Sequence, residues 1–395
     1  MRRRKVKVTF LTWEYPPDIY GGAGVHVKYL TQHLKRHINI EVRTRGKDDS
    51  QVEEDGIRVR RYKPWSFQEA STPGIRGLLE AFSTCLAFVR DEIDAKIVHS
   101  HTWYTNLAGF YAKQLYDARL VATVHSLEPK RPWKREAMGN AYRLSTWAEE
   151  TCLHACDRII AVSTEDKKDI VECYGVEEKR IAVIPNGIDI EKYKRRENPS
   201  LLKGYGVKKP YVLFLGRLSR QKGVFDALKV SSKLPKGVDL VMVTGRPDEE
   251  GIEQELARRV KGRKNVVWVN KMLTEEEAIA FYSSAEVFVS PSIYEPFGII
   301  NLEAMACSRP VVSTRVGGIK DVVVEGATGF LVEAGDSAGI AEKVSMLLSN
   351  KELTEVMGNR GRERVEAEFS WSRIAERTLA LYEKLVANGG DDSQS

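Results

Sequence analysis

The 395-residue chain is poor in several features that would have decided its class at once. None of its apolar runs approaches the roughly 20 residues of a membrane-spanning helix, so no span is expected. Cysteine is scarce and odd in number: Cys85, Cys152, Cys156, Cys173 and Cys307. A secretory leader is not expected either. The opening M-R-R-R-K-V-K-V-T-F-L-T sets basic residues before an apolar run, but Lys7 and Thr9 interrupt that run and Trp13-Glu14 end it, so it reads as a first strand. Free thiols in a reducing, cytoplasmic compartment follow. Cys152 and Cys156, with His154 between them, lack further metal ligands and read as packed helix cysteines. Charge of one sign is lacking too. Sixty-one basic residues against 55 acidic ones leave +6, which makes no case for a nucleic-acid partner but leaves room for a locally basic groove for diphosphates. What remains, 42 % apolar and 29 % charged residues, suits a globular chain long enough for two cores.

Strand-like and helix-like segments alternate, twice over. In the first half, Lys5 to Thr12, Ile38 to Arg43, Lys96 to Ser100, Leu120 to His125, Arg158 to Val162 and Arg180 to Ile184 read as strands, with helices over Gly24 to Leu34 and near Leu78 to Arg90. The pattern restarts with strands at Tyr211 to Leu215, Asp239 to Thr244, Val266 to Val269, Val287 to Val289 and Val311 to Ser313. Repeated βα alternation implies α/β architecture: two doubly wound, Rossmann-like domains with parallel sheets covered on both faces. The polar stretch from Asn186 to Pro210 marks the boundary. The expected division is residues 1–193 and 194–370, with an amphipathic helix from Trp371 onward (371–388) and a disordered tail over 389–395. The cleft between two such domains is the default binding site.

The most specific chemical signal is E-P-F-G-I-I-N-L-E-A, Glu295 to Ala304. Pro296 and Gly298 forbid one helix through both acids, so Glu295 belongs to a loop and Glu303 to the next helix. The helix N-terminus between them, at Phe297, Gly298 and Ile299, offers backbone N–H groups to an anion. Ile299 to Glu303 rises roughly 6 Å along a helix axis. A ligand made of sugar, diphosphate and ribose fits that span, with a carboxylate for hydroxyls at each end. The complementary charge lies in L-F-L-G-R-L-S-R-Q-K, where an apolar strand ends at Gly216 and is followed by Arg217 and Lys222. Two fixed cations there would stabilise charge growing on a leaving phosphate more than in the ground state.

Tyr20 to Val25, Y-G-G-A-G-V, is a glycine-rich turn opening a helix, and Gly21, Gly22 and Gly24 allow close backbone approach to a phosphate or sugar. A dinucleotide fingerprint fits poorly and leaves a nicotinamide-dependent oxidoreductase as a distant alternative. Val27 replaces its third small residue, the glycines stand eight residues past the strand, and Arg43 and Arg45 occupy the place of the ribose-binding acid. His125 ends a strand in V-A-T-V-H-S. His99 and His101 form an H-x-H pair without further clustered ligands, a weak metal signature, and read as strand-end residues facing the cleft. Trp103 and Tyr104 beside them are stacking platforms for sugar rings. Glu14 and Asp18, flanking Pro16-Pro17, either bind an acceptor or are simply solvated.

Taken together, S-x-Y-E-P-F-G-I-x-x-L-E-A-M-A and the Arg217/Lys222 pair resemble the E-x7-E and R-x4-K motifs of retaining nucleotide-sugar glycosyltransferases of the GT-B fold. The resemblance extends through W-E-Y-P-P-D-I-Y-G-G-A-G-V-H-V, H-S-H-T-W-Y, H-S-L-E-P-K-R-P-W-K and I-P-N-G-I-D to a subgroup of family 4 type. That subgroup contains glycogen synthases and the similar enzymes that make maltose 1-phosphate from ADP-glucose and glucose 1-phosphate. The resemblance implies two domains facing a cleft, a last helix crossing back to the first domain, and metal-independent transfer without a cofactor. It implies Arg217 and Lys222 at the diphosphate, Glu303 at the ribose, Glu295 and His125 at the donor sugar, and the glycine turn above the reacting centre. Asp18, His101, Trp103 and Tyr104 are then acceptor-side candidates. The leading expectation is glucose transfer from ADP-glucose or UDP-glucose to an α-1,4-glucan. Maltose 1-phosphate synthesis is the alternative, followed by a GT-B nucleotide-sugar epimerase. One departure bears on the acceptor: the larger starch and glycogen synthases carry K-x-G-G-L, and here no lysine precedes Tyr20-Gly21-Gly22.

Overall fold

The computed structural model describes residues 5–19, 21–208 and 210–387. Tyr20 of the glycine turn and the tail expected over 389–395 lie outside the described residues, as does residue 388 of the expected last helix. The chain divides into two compact units, one running to Asn186 and resuming at Trp371, the other spanning Gly187–Ser370. The division falls at Asn186 rather than after residue 193, because the connecting segment that follows is tied to the second unit. Ile188 N–H donates to the Phe369 carbonyl (2.8 Å) and Arg362 donates to the Ile190 carbonyl (3.0 Å).

The first unit contains β1 (Lys7–Thr12), α1 (Gly22–Leu34), β2 (Asn39–Arg45), β3 (Ser50–Glu54), β4 (Ile57–Tyr62), α2 (Pro73–Arg90), β5 (Ile97–His101), α3 (Trp103–Tyr116), β6 (Arg119–Val124), α4 (Trp133–Met138), α5 (Ala141–Ala155), β7 (Arg158–Ala161), α6 (Thr164–Tyr174) and β8 (Ile181–Val183). Its sheet runs β3-β4-β2-β1-β5-β6-β7-β8, parallel except for β3. The inner strands are near-continuous apolar runs because helices cover both faces. The antiparallel edge strand β3 is exposed and polar, which blunts the open edge. Helix starts follow local chemistry. Thr72 caps α2, with Pro73 in its first turn, and Ser163 caps α6 by accepting from Asp166 N–H (3.0 Å).

The second unit contains α7 (Pro199–Gly204), β9 (Tyr211–Leu218), α8 (Val224–Val230), β10 (Asp239–Pro247), α9 (Ile252–Val260), β11 (Val266–Asn270), α10 (Glu275–Ser284), β12 (Val287–Ser290), α11 (Ile299–Ala306), β13 (Val311–Thr314), α12 (Ile319–Val322), β14 (Gly329–Val332), α13 (Ser337–Ser349) and α14 (Lys351–Glu368). All six strands are parallel, in the order β11-β10-β9-β12-β13-β14. Thr274 and Glu277 form a reciprocal capping box on α10.

The final helix, α15 (Trp371–Ala387), belongs to the first unit. Trp371, Ile374, Ala375, Tyr382 and Leu385 form its buried stripe, packed in one core with Val27, Leu30 and Leu34 of α1. Burying an apolar side chain of that size contributes about 1.5–3 kcal/mol, so the helix is a structural member of that unit. Each sheet has a switch point where strand order reverses, between β1 and β5 in the first unit and between β9 and β12 in the second. Ligands of open α/β sheets bind at the carboxyl ends of the strands at such points.

Candidate active site

In the second unit the sequence-predicted donor residues converge on the β9/β12 switch point. The strand β9 continues through Leu218, so Arg217 stands on the strand end rather than in a loop after it. Lys222 follows in the β9–α8 turn and forms an ion pair with Glu295 from the loop after β12. Both side chains are largely buried, 12 % and 9 % exposed, and Ser292 Oγ lies 3.4 Å from the same carboxylate. The two loops are tied directly. Ile293 N–H donates to the Gln221 carbonyl (2.8 Å), and Gln221 Nε2 donates to the Tyr294 carbonyl (3.1 Å). Arg217 is paired with Asp248, just beyond β10, and keeps 40 % of its side chain exposed.

Two glycines make this arrangement possible. Gly223 (φ +69°) follows Lys222, and a Cβ there would overlap the Pro291 carbonyl. Gly317 (φ +49°) faces Glu295, and a Cβ there would overlap the Glu295 carbonyl oxygen, which also accepts from Gly318 N–H at 3.0 Å. At both places backbone packs on backbone in a left-handed conformation, which favours glycine.

Gly298 (φ +96°) precedes α11, and Ile299 at its first turn is partly exposed. Phe297, expected among the donor contacts, is 2 % exposed and packs toward Phe369 (centroids 6.1 Å), so its ring belongs to the core and only its backbone remains for a ligand. Glu303 lies one turn into α11 and accepts from Tyr282 OH (2.8 Å). Burial raises its carboxyl to about 7, opposed by the hydroxyls of Tyr282 and Tyr193.

The first unit carries its candidates at the carboxyl ends of β1, β5 and β6. Glu14, left open between acceptor and solvent, accepts from Gly21 N–H (2.7 Å) at the start of α1. Gly22 and Gly24 sit inside the first turn of α1, which starts two residues earlier than the pattern suggests. A Cβ on Gly24 would come within 2.8 Å of Glu14 Cβ, so that glycine is required by the Glu14 side chain itself. Asp18 is exposed and lines an open pocket of about 730 Å³ with Trp13, Glu14, Arg45, Lys63 and Tyr104. Tyr104 stacks with Trp13 (5.1 Å) and with Trp103 (4.3 Å). Trp103 is only 5 % exposed, and His101 is fully buried. That burial removes both from direct acceptor contact, a correction to the expectation from their position after the strand.

His125 is half-buried at the end of β6, and His101 Nδ1 lies 3.1 Å from its Nε2. His26 of α1 completes a cluster, 4.8 Å from His125 and 5.5 Å from His101 between ring centroids. Burial drives all three rings toward the neutral form, His26 to about 4. His99, beneath them, is spoken for at both nitrogens, by Tyr382 OH (2.6 Å) and Thr123 Oγ1 (2.7 Å). The His125 loop is anchored by acids to which the sequence assigns no role. Glu128, fully buried, accepts from Lys134 Nζ (2.7 Å) and Ser145 Oγ (3.1 Å). Its backbone N–H donates to Glu149 (2.9 Å), whose carboxyl also accepts from Tyr174 OH (2.6 Å). Burial and the neighbouring Glu128 raise Glu149 to about 8.

Sequence reasoning missed Asp248, Tyr282, Glu128 and the Gly317-Gly318 turn. The V-G-G after β13 was the one local signal, since paired glycines after a strand mark a close backbone approach. The expected packing of the cysteines is met: Cys152 and Cys156 are buried and free, with sulfurs 3.9 Å apart, although Cys156 caps α5 rather than lying within it. No helix among the described residues is long and apolar enough to cross a membrane.

Comparison with known proteins agrees with this geometry. Residues 20–192 match the model described as Glycosyltransferase Family 4, and residues 203–364 match Glycosyl transferases group 1. An alpha-maltose-1-phosphate synthase of Mycolicibacterium smegmatis is 40 % identical over 97 % of this chain and 100 % of its own length. A glycogen synthase of Mycobacterium tuberculosis is 27 % identical over 98 % of this chain and 96 % of its own. Among solved structures, the sucrose-phosphate synthase of Thermosynechococcus elongatus superposes with a TM-score of 0.80 at 22 % identity, over 97 % of this chain and 100 % of that one. With two Rossmann-like units, a last helix returned to the first unit and full-length identity to these enzymes, the chain belongs to the GT-B glycosyltransferases, joining a family 4 first half to a group 1 second half.

Proposed function

We propose that the chain is a retaining α-glucosyltransferase that takes glucose from ADP-glucose or UDP-glucose. The observation that carries this reading is the Lys222–Glu295 pair at the β9/β12 switch point, beside the α11 N-terminus and one turn from Glu303. Arg217 and Lys222 hold the diphosphate, Glu303 accepts from the ribose hydroxyls, and Glu295 orients the donor sugar. His125 supports that sugar from the first unit. In the transfer, the bond from sugar C1 to the β-phosphate oxygen breaks while the acceptor oxygen bonds to C1 on the same face. The acceptor proton passes to the departing phosphate, whose growing charge the two cations stabilise. These groups supply the electrostatics without a metal, and the free thiols suit a reducing, cytoplasmic setting.

Of the two acceptors, glucose 1-phosphate is favoured over an α-1,4-glucan. Full-length identity is 40 % to a maltose-1-phosphate synthase against 27 % to a glycogen synthase. The first-unit pocket suits a phosphorylated sugar. Arg45, Lys47 and Lys63 line it for the phosphate, Trp13 and Tyr104 for the ring, and Glu14, Asp18 and Glu80 for the hydroxyls. The test is a matrix of ADP-glucose and UDP-glucose against glucose 1-phosphate, maltooligosaccharides and glycogen, with product mass and anomeric configuration read out. A disaccharide phosphate of α configuration is expected. Elongated glucan alone would move the reading to glycogen synthesis, and an isomerised nucleotide sugar formed without acceptor would replace it with epimerisation.

A further inference from the structure

The histidine cluster of the first unit has a property that sugar transfer does not use. The described residues hold one group of three side chains able to share a cation, His26, His101 and His125, whose ligand atoms all lie within 4.8 Å of one another. Their tautomers suit a metal. His26 Nδ1 pairs with Asn186 Oδ1 (2.7 Å), which keeps the proton on Nδ1 and the lone pair on Nε2. A carbonyl acceptor behind an imidazole is the usual outer support of a metal-binding histidine. With Nδ1 as its ligand atom, His101 carries its proton on Nε2, which is buried and without a hydrogen-bond partner. His101 Nδ1 and His125 Nε2 stand 3.1 Å apart, close to the about 3.3 Å that two nitrogens at zinc distance from a tetrahedral cation would span. The fourth histidine, His99, is excluded because both its nitrogens are engaged.

We infer that His26, His101 and His125 form a capture site for a borderline divalent cation, Zn2+ first, and that filling it stops glucosyl transfer by taking the imidazole of His125. Three imidazoles without a carboxylate select Zn2+, Cu2+ or Ni2+ over Mg2+ and Ca2+. Three neutral histidines with an open fourth position are sufficient for Zn2+. Only His125 of the three is partly exposed, so the fourth position opens on its side. The cation is here an inhibitor and not a cofactor. The inhibition, though not the binding, rests on the role proposed for His125.

The experiment titrates the full chain with ZnCl2 by calorimetry and with Co2+ by visible absorption. The expected result is one equivalent of Zn2+ bound and intense four-coordinate Co2+ bands. Affinity should fall at least tenfold in His26→Gln and stay unchanged in the α1 surface variant His33→Gln. If His26→Gln fails to fold, the Co2+ bands and the nitrogen count from X-ray absorption of the wild-type chain decide. Zn2+ affinity equal in folded His26→Gln, or wild-type Co2+ without four-coordinate bands, would overturn the site. Transfer should drop more than tenfold on zinc loading and return with chelator. One equivalent bound at the cluster with transfer undiminished would leave the cation site standing and overturn the role given to His125.

Discussion

Replacing Gly317 with alanine tests whether the Glu295 position is set by backbone contact. Gly317 has φ +49°, and the new Cβ would overlap the Glu295 carbonyl oxygen. Two costs add. An alanine in the left-handed region loses about 1 kcal/mol relative to glycine. Relieving the overlap moves the Glu295–Pro296 backbone away and weakens the 3.0 Å bond from Gly318 N–H to the Glu295 carbonyl, a further ~1 kcal/mol or more. The expected loss is thus about 2–4 kcal/mol. Gly326→Ala is the control, since Gly326 has φ +71° but nothing within 4 Å of its Cβ position. It should lose only the strain, about 1 kcal/mol. Displacing a catalytic group by an ångström costs on the order of 100-fold in rate, so Gly317→Ala should lose that much kcat while Gly326→Ala keeps its turnover. Urea unfolding and steady-state transfer, measured on both variants, give the two numbers. Equal stability losses with wild-type turnover in Gly317→Ala would refute the idea that this contact positions Glu295.

Arg217→Ala and Lys222→Ala should each lower kcat about 100- to 1,000-fold with folding intact by circular dichroism, and near-wild-type turnover in both would sink the phosphate assignment. Since Glu303 is raised to about 7, its carboxylate forms as pH climbs from 6 to 8. The KM for nucleotide-glucose should fall across that window, and Glu303→Gln should flatten the profile. Glu149 is raised to about 8 from a usual value near 4.5. Its folded pKa exceeds its unfolded one, so its contribution is present at low pH and is lost as pH rises through 8. Thermal unfolding should therefore show Glu149→Gln losing less stability than wild type as pH rises from about 5 to 8.

How legible the molecule was depends on whether information is local. The parallel strands could be read because burial on both faces demands unbroken apolar runs such as Val287 to Val289. The β3–β4 hairpin could not, because β3 is a polar edge and β4 alternates Ile57 and Val59 with arginines. The strand β14 is four residues long and opens with a glycine. In the site, Glu295, Glu303, Arg217 and Lys222 stood out because charge at strand ends and helix starts has few structural uses. Their partners did not. Asp248 reaches Arg217 from another strand end, and Tyr282 reaches Glu303 from another helix, so only the fold reveals either pairing. The histidines misled for a related reason. His99 and His101 share one face of β5, and the sequence does not show that Phe10 and α15 close over that face.

The return of α15 to the first unit has a consequence for biosynthesis. A ribosome delivers residues up to Asn186 long before Trp371, yet the first core needs Trp371, Ile374 and Tyr382 to close. The unit made first is therefore completed last. While the second unit emerges and folds, the face of α1 that carries Val27 and Leu30 waits without its cover. Loss of the last seventeen described residues would strike the half of the protein farthest from them in sequence.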